Sequence, residues 1–254
     1  MRGAIVILCL SACAQDPVVA SPVDAALSAP DDASANPDVA IFVPQPDAAV
    51  VIPAGFGLIS GPCGVLTRAL TATTPATFTN HIDFAADPYD AADYPLLTEG
   101  GREIIDDGNA GGSSLLSEVF AFELLHRCER AELLKTETEI HYAPPQGRIT
   151  DLLVAIDGTK IGVSVTRAVA FPFDMPYPPD RARTLMTEKL SGILESTGHV
   201  APDDAWRRQI LYILAYAEPH VAVLEAALAT IDPQIRADTI VMITVSDGDD
   251  AFIY

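Results

Sequence analysis

The chain is short of cations. Its 254 residues hold 15 Lys and Arg against 35 Asp and Glu, a formal net charge of −20, and only three lysines occur, at 135, 160 and 189. Nucleic-acid binding draws its affinity from cations that displace condensed counterions, so this balance demotes any DNA-binding reading and no nucleic-acid partner is expected. It also excludes a basic helix lying on anionic lipid. No CxxC or HExxH occurs and the five histidines (81, 126, 141, 199, 220) are scattered, which removes the close ligand spacings of zinc sites. There is no GxGxxG or GxxxxGK[ST] to cradle phosphates and no GxSxG for a hydrolase elbow. Collagen, coiled coil and a multi-span membrane protein are excluded by composition. What is present is a 49% apolar share with a mean hydropathy of +0.26, enough for a sizeable core in one domain.

The chain opens with Met1-Arg2, an apolar run over 3–10, then Ser11-Ala12-Cys13. One positive charge, a short apolar stretch and small residues predict a secretory signal over residues 1–12. The run is too short to cross a bilayer, which takes ~20 residues. Leu10-Ser11-Ala12-Cys13 resembles the lipobox of bacterial lipoproteins. The resemblance implies that Cys13 becomes the first mature residue and carries the lipid, so that the protein meets the membrane through that anchor. Position 14 is Ala and not Asp, which by the same resemblance implies the outer membrane of a Gram-negative cell envelope. Residues 13–54 hold seven prolines (17, 22, 30, 37, 44, 46, 53) and no Lys or Arg. Proline breaks helix and ladder, and like charge keeps the chain extended, so this segment reads as a disordered tether. Its apolar patches at 41–43 and 50–52 could be short strands, but a tether is favoured. With Cys13 acylated, Cys63 and Cys128 remain; in an oxidising compartment they could form a disulfide, and two buried thiols fit the spacing equally well.

Residues 55–254 read as one globular domain. Residues 55–112 look like strands and loops, ending in a turn-rich stretch over 106–112. Ser113 or Ser114 is expected to cap a helix running to about 134. Strands are expected over 137–142, 148–156 and 160–171, the last two joined by the Asp157-Gly158 hairpin turn. After a proline-rich loop at 172–179, helices are expected over 180–195, from 202 on, and from 219 to 231. Residues 239–245 read as a buried strand, and 251–254 as an edge strand. The order predicts an α/β fold, a three-layer-like sandwich with a mixed central sheet flanked by helices.

Over residues 113–245 this order resembles the α-β-β-β-α-β core of the PD-(D/E)XK nuclease superfamily. In that family an acid sits on the first helix, an Asp begins the second strand, and E-x-K lies on the third. Glu118 matches the helix acid and Asp151 the strand Asp. Ser164 stands where the second strand acid belongs and Thr166 where the lysine belongs. Arg167, one residue on, faces the opposite side of a regular strand. Serine brings a neutral oxygen where Mg²⁺ prefers an anion, and threonine cannot steady charge at a phosphate. Glu188 and Lys189, on the following helix, could restore the lost groups.

Two functions follow. The first is a non-catalytic binding or assembly domain at the envelope, with an unknown protein or small-molecule partner, no cofactor, and Ser164, Thr166 and Glu188 in the binding surface. The alternative is a Mg²⁺-dependent phosphodiesterase in which Glu118 and Asp151 hold the metal and Lys189 the phosphate; it requires these three to converge. A third option uses loops 106–112 and 172–179 as the rim of an apolar pocket. Lys135 to Glu139 reads as an edge strand with solvated charges, and Asp247, Asp249 and Asp250 as a surface turn.

Overall fold

The computed structural model describes residues 57–254 apart from 111 and 174, together with a two-residue strand at Val50–Val51. The expected signal segment, Cys13 and most of the expected tether lie outside the described residues. Eight strands form one mixed sheet: β1 (Val50–Val51), β2 (Leu58–Ser60), β3 (Ala76–Asp83), β4 (Glu132–Thr136), β5 (Leu152–Ile156), β6 (Thr159–Ala168), β7 (Arg208–Ala215) and β8 (Ile240–Asp247). Their spatial order is β1-β2-β3-β8-β7-β6-β5-β4. The four central strands run parallel, and the outer ones join antiparallel at both edges. Helices α1 (Leu66–Thr71), α2 (Glu99–Asp107) and α3 (Leu115–Glu129) cover one face. The other face carries α4 (Pro179–His199), α5 (Glu218–Leu228) and the short α6 (Pro233–Arg236). The chain is thus an α/β sandwich of the expected class.

The central strands are apolar on both faces because helices cover both. On β7, Ile210, Tyr212 and Leu214 join the core under α3, while Leu211, Ile213 and Ala215 join the core under α4. All eight residues of β7 are buried. This corrects the helix expected from residue 202: only Pro202–Asp204 make a 3-10 turn. A doubly buried strand shows no alternation, so its pattern cannot be told from a buried helix.

Other boundaries also move. α3 stops at Glu129, short of 134, because Arg130 takes a left-handed φ of 57° and closes the helix by donating to the His126 and Leu125 carbonyls. The first core strand is therefore β4, and the stretch from 137 is a turn. Residues 251–253 form a 3-10 turn and not an edge strand. The segment before 113 contains two helices as well as strands, and its β3 pairs with β8 inside the common sheet. The helix signal of α2 is masked by Gly100 and Gly101, which close packing on α3 requires: a Cβ at Gly101 would lie 2.1 Å from Glu123 Oε1.

Cys63 and Cys128 are bonded, with Cα atoms 4.6 Å apart. Beside them the Glu129 carboxylate accepts from the Gly64, Val65 and Leu66 amides at 2.9, 3.2 and 2.9 Å. Together these fasten the start of α1 to the end of α3. Glu129→Ala leaves three amides without acceptors and is expected to cost about 3 kcal/mol in urea unfolding at neutral pH.

Candidate functional site

The loop before α3 is organised around one buried carboxylate. Glu118 is 2% exposed. Its Oε1 accepts from Asn109 Nδ2 at 3.0 Å and from Ser114 Oγ at 2.8 Å. The expected serine cap does not form: the Ser114 hydroxyl donates to Glu118 and accepts from no helix amide. The second oxygen of Glu118 accepts nothing among the described residues.

Asp151 immediately precedes β5. Leu152 pairs with Val163, so extending the register by one residue sets Asp151 against Ser164. Asp151 Oδ2 accepts from the Val165 amide at 2.6 Å, and the carbonyl of the same Val165 accepts from Lys189 Nζ at 3.0 Å. One residue of β6 therefore holds the strand carboxylate and the helix ammonium. Asp151, Ser164, Glu188 and Lys189 line a cavity of about 60 Å³ with Arg148 and Gly192. Thr166 lies on the Ser164 face of β6 by strand alternation but is not part of this lining. Arg167 points the other way, donating to the carbonyls of Ser113, Ile253 and Tyr254.

Burial raises the Asp151 carboxyl to about 7, with Lys189 opposing the rise and the charges of Glu118 and Glu137 adding to it. Glu118 is raised as well: burial is the main cause, its bonds from Asn109 and Ser114 oppose it, Glu137 adds and Lys189 lowers. Glu118, Asp151 and Lys189 thus share one electrostatic environment although they come from α3, the start of β5 and α4.

Several contributors had no clear sequence signal. Asn109 sat in a stretch read only as a turn. Arg148 stood at the edge of a predicted strand. Glu137 was expected to be solvated; it is half-buried, and its Oε2 accepts from the Ala110 amide at 2.7 Å. Lys135 is paired with Asp204 at 2.7 Å. In the acidic turn, Asp250 is 5% exposed and accepts from Ser246 Oγ at 2.6 Å, so it points inward, unlike the surface residue expected. Burial raises its carboxyl to about 6 against its bond from Ser246. Elsewhere the exposed Glu103, Asp107 and Glu139 bring ligand atoms within 4.8 Å of one another. Larger cavities lie between α4 and α5 (about 320 Å³) and beside α1 and β3 (about 480 Å³), both mainly apolar.

No known protein family matches the chain. A curated relative, the AAC-rich mRNA clone AAC4 protein of Dictyostelium discoideum, is 40% identical over 155 residues, covering 58% of this chain and 22% of that protein. The chain thus spans less than a quarter of its relative's length. Among solved structures, Pyrococcus furiosus SfsA in complex with Ca²⁺ is similar at 16% identity, covering 54% of this chain and 57% of that one, with a TM-score of 0.27.

Proposed function

We propose that this protein is a divalent-cation-dependent phosphodiesterase, held at the cell envelope by a lipid on Cys13. The observation that carries the reading is the shared anchorage of Asp151 and Lys189 on Val165, within the field of Glu118. The order α3-β4-β5-β6-α4-β7 supports it, since this is the α-β-β-β-α-β order of the PD-(D/E)XK core, with β7 completing it and β8 following. Lys189 enters the cavity from α4 and supplies the cation that Thr166 cannot.

Glu118 and Asp151 bring oxygen donors of the kind a hard divalent ion such as Mg²⁺ takes, although Glu118 does not line the cavity of Asp151 and Lys189. Glu118 and Asp151 each keep one oxygen free of hydrogen bonds among the described residues, and both carboxylates are under repulsion that a cation relieves. They form no closed triad of ligands, which suits an ion that keeps several waters. Bound there, the ion would polarise a phosphoryl oxygen. The chain's own residues do the rest. Asn109 and Ser114 fix the Glu118 carboxylate, and the Val165 amide fixes Asp151. Lys189 spends one of its three donors on Val165 and keeps two to stabilise charge developing on the phosphate.

The mature chain with Mg²⁺ or Mn²⁺ should cleave phosphodiesters, and chelation should stop it. Lys189→Ala is expected to lower kcat by ~10²-fold or more. A folded protein that neither takes up the ion nor cleaves any diester overturns the reading. The non-catalytic binding domain would then stand, favoured by the neutral Ser164 facing Asp151. For the anchor, the mature protein should partition into the detergent phase of a Triton X-114 separation, and Cys13→Ser should move it to the aqueous phase. Aqueous partitioning of the unaltered protein would refute lipidation.

A further inference from the structure

We infer that the substrate of this site is a small phosphodiester presenting a single phosphate, and not a duplex or a long single strand; the inference rests on the phosphodiesterase reading. The argument comes from the distribution of charge around the cavity. Its lining contains two cations, Arg148 and Lys189, beside the carboxylates of Asp151 and Glu188. Among the described residues no carboxylate pairs with the Arg148 guanidinium, whose stem lies along α4 at Gly192. In a chain of net charge −20 an unpaired arginine at the rim of an acidic cavity stands out. Its planar fork suits two oxygens of one phosphate.

No basic track continues from there: on α4 itself Arg183 pairs with Asp180 and the Arg181 guanidinium lies over the Tyr177 ring. Lys135 is held by Asp204, Arg127 by Glu123, and Lys160 by the Asp203 carbonyl. Arg167 is spent on the chain-end carbonyls across the sheet, and Arg208 is 3% exposed inside the fold. Arg68 is on α1, which packs on the far face. Arg207 lies level with Lys160, four residues along β6 from Ser164, or about 13 Å. A polynucleotide is held by neutralising many successive phosphates, whereas here Arg148, Lys189 and one divalent ion, set against the carboxylates of Glu118, Asp151 and Glu188, leave about one positive charge for one diester anion. The cavity volume of about 60 Å³ is too small for more than one phosphate group.

The test compares the mature full-length chain, with Mg²⁺ and with Mn²⁺, on bis(p-nitrophenyl) phosphate, a dinucleotide, a 30-mer single strand and a 30-bp duplex. The small diesters should be cleaved with kcat/KM at least tenfold above that for either polymer. Between 50 and 200 mM salt their kcat/KM should change by less than about threefold, where a polymer held through six contacts would lose ~10³-fold. Arg148→Ala should raise KM for the small diesters roughly tenfold with a smaller fall in kcat, and Arg148→Lys should restore part of the loss. Polymer cleavage at equal or greater kcat/KM, or an unchanged KM in a folded Arg148→Ala variant, overturns this inference and leaves the phosphodiesterase reading intact. Absence of cleavage on all four substrates by folded protein removes both.

Discussion

Asp151→Asn is expected to give a domain that is more stable at pH 8 and at least ~10³-fold less active. The two effects share one cause. Burial holds the Asp151 carboxyl at about 7, far above its ordinary 3.8, so ionising it costs the folded state. The sign is fixed by proton counts: between pH 4 and pH 7 the folded chain keeps this proton and the unfolded chain has lost it, so stability falls as pH rises through that window and levels off above it. The three-unit difference bounds the loss at about 4 kcal/mol, and half-burial of the residue argues for rather less. Asp250, raised to about 6, adds a smaller loss of the same sign. Asparagine cannot ionise, yet its amide oxygen still accepts from the Val165 amide. Urea unfolding of both proteins at pH 5 and pH 8 should show a gain for the variant at pH 8 that falls to less than half at pH 5. Mg²⁺ should raise the midpoint of the unaltered protein at pH 8, much less at pH 5, and not that of the variant, because the ion requires the carboxylate. A loss of stability in Asp151→Asn at pH 8 would mark Asp151 as a structural residue and remove the support it lends to a metal site.

Arg208→Met is expected to destabilise the domain by about 4 kcal/mol. Arg208 is 3% exposed at the start of β7. Its guanidinium donates to the carbonyls of Ala69, Ala72, Thr74 and Asp238, and its Nε lies 3.5 Å from the Asp238 carboxylate. The carbonyls before β3 and β8 are thus satisfied by one planar group from the strand between β8 and β6. Methionine fills similar volume but removes the donor from the Ala72, Thr74 and Asp238 carbonyls, while Ala69 keeps its bond from the Ala72 amide. Arg208→Lys should recover only part of the loss, because a point ammonium cannot reach four spread carbonyls. Equilibrium unfolding with an unchanged m-value checks this; a loss below 1 kcal/mol would show that water replaces the guanidinium.

How much of the site was legible follows from where its groups come from. Glu118, Asp151, Ser164 and Thr166 were candidates because the order of elements around them resembles the PD-(D/E)XK core and they fall at its motif positions. Lys189 could be named only as an option, since its position on a solvated-looking helix face does not reveal that the ammonium reaches the Val165 carbonyl. Glu137 was misjudged because the strand before it was placed too late: once β4 ends at Thr136, Glu137 lies in the turn that meets the 108–114 loop. β7 was misread for the opposite reason, being so deeply buried that its pattern carries no period.

The sequence by itself determined the class of fold and the poverty in cations, and it offered Glu118, Asp151, Glu188 and Lys189 as candidates. These are properties of composition and local period, which depend on a residue's near neighbours. Tertiary structure alone decided that β3 enters the same sheet, that β7 is a strand, that Cys63 meets Cys128, and that Asp151 and Lys189 share Val165. Those pairings join residues 14 to 164 positions apart and depend on register, which is set by which surfaces bury one another, a relation that no local stretch of the chain contains.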